Sequence, residues 1–225
     1  MKKQFGILML ILVALTSRAD LTNATFSVTP SALIPDANPV GLISTLTVSG
    51  MSGSTTNLTV NLNITGGFSG DLYAYLVSPQ GSLVVLLNRV GMSSTNYFGY
   101  SDAGFNLTLD SSSANNIHNY QAAGGYPGDL SSGQLTGTWA PDSRTIDPLS
   151  APSIFNLAPT GNTLAGYDGL NPNGVWTLFI ADLSGGGQST LVSWGLTVVT
   201  VPEPQTWTIL GGGLAAGWLM IRRRK

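Results

Sequence analysis

The stretch LTVNLNIT puts Leu58, Val60, Leu62 and Ile64 on one side of an extended chain and Thr59, Asn61, Asn63 and Thr65 on the other. Successive side chains of a strand point to opposite faces, so this alternation specifies a sheet with one buried and one wet face. LYAYLVSP and SLVVLLN, on either side of Pro79-Gln80-Gly81, predict a hairpin with residues 84–87 near the core. VWTLFIAD and LVSWGLTVVT, flanking SGGGQST, carry the β-branched and aromatic residues that pack well on a pleated surface. No helical period appears between the chain ends, and no internal repeat. Residues 111–162, rich in Ser, Asn, Gly and Pro, read as loop on the β scaffold. The sum is one all-β domain over residues 20–200, a two-sheet antiparallel β-sandwich. Trp176 and Trp194 sit in strand patterns and are expected in the core. Tyr97, Tyr100, Tyr120, Tyr126 and Trp139 fall in the looser part, where exposed rings would stack on sugars.

Charge divides the chain into a body and two ends. Residues 21–200 hold two Arg against nine Asp, with no Lys and no Glu, a net charge of −7. Such a body is repelled by phosphate backbones and lacks the basic stripes that bind them, so nucleic acid is excluded as a partner. At the amino end, Lys2 and Lys3 precede the apolar run FGILMLILVAL, and Ser17 and Ala19 take the small-residue positions before a cut between Ala19 and Asp20. This is the layout of a secretory signal peptide over residues 1–19, its apolar run too short for the roughly 20 residues a bilayer span needs. The chain has no cysteine, so an exported fold must rest on burial and hydrogen bonding alone.

The carboxyl end, VPEPQTWTILGGGLAAGWLMIRRRK, sets Pro202-Glu203-Pro204 before a glycine-diluted apolar run and closes on Arg222, Arg223, Arg224 and Lys225. The basic end stays cytoplasmic by the positive-inside rule, and the run is a short transmembrane helix at most. In its three parts and their order, 201–225 resembles the PEP-CTERM sorting signal of Gram-negative bacteria. The resemblance implies transient inner-membrane insertion, processing near Pro202-Glu203-Pro204 by an exosortase-type membrane enzyme, and delivery to the cell surface or an exopolysaccharide matrix.

Catalytic chemistry has little to build on. A nucleophilic triad needs a base, and the only histidine, His118, reads as a surface loop residue. Neither Gly50-Met51-Ser52-Gly53 nor Gly67-Phe68-Ser69-Gly70 completes a G-x-S-x-G elbow, and zinc chemistry lacks its ligands. A hydrolase using two of the nine Asp is the residual enzymatic alternative, although spacing nominates no pair. Asp71 and Asp168, beside glycines, read as turn residues.

FSGDLYAYLVSPQGSLVVLLNRVG, LTLDSSSANNI and LAGYDGLNPNGVWTLFIADLSGGGQSTLVSWGLTV follow one another over 39–199 and together resemble the P domain, or Homo B domain, of proprotein convertases. The resemblance implies a jelly-roll-like β-sandwich, in agreement with the strand pattern, and no protease domain accompanies it in this chain. No cofactor is required. Calcium is the one metal considered, with Asp110 and Asp182, at strand ends in these segments, as its ligands, since hard cations take carboxylate and carbonyl oxygens. The leading expectation is a non-catalytic surface or matrix module that binds extracellular polysaccharide or a surface protein. A stabilising or regulatory module for a separate protease is the alternative.

Overall fold

A computed structural model describes residues 22–123, 130 and 133–201, all within the compact unit Leu21–Pro202. The signal segment with Ala19 and Asp20, the sorting residues Pro202, Glu203, Pro204, Arg222, Arg223 and Arg224, and Tyr126 lie outside the described residues.

The strands in chain order are β1 (Thr22–Val28), β2 (Ala32–Ile34), β3 (Leu42–Val48), β4 (Ser54–Gly66), β5 (Leu72–Val77), β6 (Leu83–Asn88), β7 (Gly104–Leu109), β8 (Leu135–Trp139), β9 (Gly174–Asp182) and β10 (Ser189–Val201). They form a six-stranded sheet in the order β1-β10-β4-β7-β8, with β2 also on β10, and a four-stranded sheet in the order β3-β9-β5-β6. The expected sandwich is what forms. Its departure from a purely antiparallel plan is the β7–β8 pair, which runs parallel. Within the described residues helices are confined to short 3-10 turns, none long and apolar enough to cross a membrane.

The core lies between the sheets. Leu58, Val60, Leu62 and Ile64 of β4 face inward as their alternation requires, beside Leu107 and Leu109 of β7 and Leu196 and Val198 of β10. Leu46, Trp176, Leu178, Ile180, Leu72 and Leu76 meet them from the second sheet. Trp194 and Trp176 are both buried, as expected. The indole nitrogen of Trp194 donates to Ser44 Oγ at 2.8 Å, tying β10 to β3 across the sandwich. Trp176 donates to the Pro172 carbonyl at 2.8 Å, so neither buried N–H is left unmade.

The β5–β6 hairpin turns where Pro79-Gln80-Gly81 predicted it, with Gly81 at φ +87°, a left-handed conformation that glycine adopts without a Cβ penalty. The stretch 111–162 is not all loop. It contributes β8 and two 3-10 turns, Ile117–Ala122 and Pro152–Leu157, and sends Tyr120, Trp139 and Phe155 into the core. The expectation that Tyr120 and Trp139 are exposed is therefore corrected: Tyr120 packs edge-on against Tyr100, Phe105 and Trp139.

Candidate functional site

One face of the six-stranded sheet is turned away from the core, and its register is legible residue by residue. Gly195 pairs with Asn61, Asn61 with Thr108 and Thr108 with Thr138, while Ser27 of β1 pairs with Gly195 from the other side. One step along, Ser193, Asn63, Asn106 and Thr136 form a second row. Neighbouring strands lie about 4.8 Å apart, so five of them carry a strip of carboxamides and hydroxyls about 19 Å wide. The strip holds a depression of about 400 Å³ whose lining contains no ionisable side chain. Gly195 forms part of that lining, and a Cβ there would approach the Phe26 carbonyl oxygen to 2.5 Å.

Several of these side chains are held in place. Thr108 Oγ1 donates to Asn61 Oδ1 at 2.9 Å. Gln134 donates through Nε2 to Asn63 Oδ1 at 2.8 Å and to the carbonyls of Ile64 and Phe105, which orients Asn63. The side chain of Asn106, exposed in the second row, makes no hydrogen bond to another described residue.

Two buried ionic networks lie elsewhere. In the first, Arg89 follows β6 with φ +50° and donates to the Gly70 carbonyl at 2.7 Å, to Ser184 Oγ at 2.8 Å and to Asp71 at 3.5 Å. Asp71 is thus a buried ion-pair partner as well as the end of a short turn, and burial raises its pKa against the lowering pull of Arg89. Asp182, fully buried at the end of β9, accepts at 3.3 Å from Ser184 N–H and Ser189 Oγ. Burial pushes its carboxyl up to about 6, with Asp71 and Asp36 adding to the rise.

The second network corrects the reading of His118. It is not a surface residue: only 2% of it is exposed. Its Nδ1 lies 2.7 Å from Asp142 Oδ2 and its Nε2 lies 3.1 Å from the Met92 carbonyl oxygen, while the ring stacks on Phe155. A carbonyl oxygen only accepts, so Nε2 carries its hydrogen, and the other nitrogen is taken by the carboxylate. No nitrogen remains to draw a proton from a nucleophile. Arg144 donates to the other oxygen of Asp142 at 3.0 Å, and Asn88 N–H donates to Oδ2 at 3.2 Å.

The two calcium candidates are built differently from one another. Asp182 is enclosed beside Arg89, whereas Asp110 follows β7 and accepts from the Ser112 N–H at 2.8 Å in a local turn. Among the described residues no group of three or more His, Asp or Glu is placed to hold a metal ion. Asp168 caps a 3-10 turn, as its neighbours predicted. Of the rings considered for sugar stacking, Tyr97 is 59% exposed and Tyr100 is half-buried against Tyr120. Neither lines the polar strip.

The proprotein convertase P-domain model matches residues 55–125, from β4 through the turn that carries His118. The PEP-CTERM protein-sorting model matches residues 200–225, including Pro202, Glu203, Pro204 and the Arg222, Arg223, Arg224 end. The chain carries a P-domain segment and a PEP-CTERM sorting motif. That P-domain segment supplies β4, the central strand of the polar strip, and its neighbour β7, with Asn61, Asn63, Asn106 and Thr108. The PEP-CTERM motif marks the chain for processing by an exosortase-type enzyme and for sorting to the envelope or surface of a Gram-negative cell. Neither matching model is a catalytic domain. No curated protein matches the chain. Among solved structures, the serine protease of Aeromonas sobria aligns at 14% identity and a TM-score of 0.45, over 84% of this chain and 28% of that one. The same organism's serine protease in complex with its chaperone aligns at 16% identity and 0.41, over 81% and 27%. The chain thus spans under a third of the length of these proteases.

Proposed function

We propose that the protein is an exported, non-catalytic module of the cell surface or extracellular matrix, held there by polysaccharide lying on the outer face of the six-stranded sheet. The observation that carries this reading is the strip itself, with carboxamides and hydroxyls in register across five strands around an uncharged depression. Pockets that recognise sugars need placed donors and acceptors, and each Asn supplies both. A signal peptide ending at Ala19 starts export. The segment after Val201 then holds the precursor in the inner membrane until exosortase acts near Pro202-Glu203-Pro204.

The sorting half is tested in an exosortase-bearing host. Replacing Pro202, Glu203 and Pro204 by Ala should leave an uncleaved, membrane-retained precursor, read by immunoblot of membrane and surface fractions. Release equal to wild type contradicts it.

A second reading, a module for a separate protease or surface protein, draws on the other sheet. Its outer face carries Ile43 and Val175 exposed and Tyr75 stacked on Phe179 at 4.7 Å. Co-purification of a protease with the surface-localised chain, lost on Ile43→Asp, is the result that would favour it.

A further inference from the structure

We infer, resting on the polysaccharide reading above, that the polar strip takes neutral, hydroxyl-rich glycan chains and rejects polyuronates and other anionic polymers. The first ground is the chemistry of the strip. A sugar hydroxyl both donates and accepts, and so does a carboxamide. Asn61 and Asn63 have their oxygens engaged by Thr108 and Gln134, which fixes their orientation, and no bond from Asn63 Nδ2 to the described protein competes with a ligand. Asn106 keeps its whole carboxamide for a ligand. Asn61 Nδ2 is held only by a long 3.5 Å bond to Thr197 Oγ1. The strip is thus ordered beforehand with Asn63 Nδ2 and Asn106 left for a ligand, the condition under which hydrogen bonds add affinity without an ordering cost.

The second ground is the distribution of charge over the body. A carboxylate polymer is held by Arg or Lys through charge-assisted hydrogen bonds. Among the described residues the only Arg are Arg89 and Arg144, with side chains 8% and 14% exposed, and both are spent on buried Asp partners. There is no Lys between residues 21 and 200. The exposed charges among the described residues are Asp36, Asp147 and Asp168, all negative. On the strip an anionic chain meets no cation, while a neutral one meets donors and acceptors.

The test uses the full chain in a zwitterionic detergent, titrated with a panel of neutral glucans, mannans and galactans and with polygalacturonate, at low and high salt. The expected result is saturable binding of at least one neutral polymer, unmoved by salt because no ion pair forms, and none of polygalacturonate. Asn106→Ala should weaken that binding at least tenfold with melting temperature held, since the Asn106 side chain has no described partner to lose, and adding Asn61→Ala, which also gives up the bond from Thr108, should weaken it further. Binding of polygalacturonate that the same variants weaken would overturn the selectivity while leaving the polysaccharide reading intact. Neutral-polymer binding indifferent to both substitutions would overturn the site. Binding of no polymer in either class would sink the inference and the polysaccharide reading with it.

Discussion

Asp182 and His118 teach the same lesson from opposite directions. His118 is a polar residue that its neighbours in sequence place in a loop, Asp182 one that they place at a strand end, and each is buried with partners far along the chain. Asp182 is enclosed with Ser189, Arg89 and Asp71, and its carboxyl is held near 6 against a free value of 3.8. The unfolded chain releases this proton near pH 4, while the folded chain keeps it to about pH 6. Stability contributed here is therefore present in acid, falls as pH rises across that window, and stays lost above it. Asp182→Asn, neutral throughout, should raise the melting temperature relative to wild type at about pH 7 and change it little at about pH 4. Equal effects at the two pH values would contradict the burial account. Calcium at Asp110 or Asp182 is an expectation from their place at strand ends in the P-domain-like segments and from the oxygen ligands a hard cation takes. Nothing local in the sequence signalled that one carboxylate is shut in beside Arg89 and the other is taken up by its own turn.

At the scale of elements, period two made most of the sandwich legible. β4, the β5–β6 hairpin, β9 and β10 each show alternation or a compact apolar run, and each formed where those patterns put it. β8 escaped because Leu135-Thr-Gly-Thr-Trp139 carries glycine at the centre of its inward row and sits among Ser and Asn, so local composition spoke for loop. What holds the chain after β8 is tertiary. Asp142, after β8, pairs with β6 through the N–H of Asn88 and binds His118 and Arg144. Asp142→Ala strands an imidazole, a guanidinium and a backbone N–H together. It should cost roughly 3–5 kcal/mol of unfolding free energy, the scale for breaking a buried pair. Chemical denaturation reads this directly, and a loss below about 1 kcal/mol, as for an exposed pair, would show the network to be dispensable. The polar strip was half-legible: Asn61 and Asn63 stood out on the wet side of β4, but register with Asn106 and Thr108 depends on β7 pairing antiparallel with β4, and with Thr138 on β8 pairing parallel with β7.

On the scale of the whole molecule, sequence and structure divide the work between ends and body. The ends hold seven of the nine basic residues and the sorting motif; the body keeps its two Arg inside and turns a neutral, hydrogen-bonding sheet face outward. A body without accessible cations has no electrostatic hold on nucleic acid or anionic membrane. Its opposite sheet, with Ile43 and Val175 exposed, is the competing surface for a partner. The measurement that separates the two is hydrogen–deuterium exchange of the full chain with and without saturating neutral polysaccharide. The account predicts added protection in β4, β7 and β10 around Asn61, Asn106 and Gly195. Protection confined to β3, β5 and β9, or none at any polymer concentration, would contradict it.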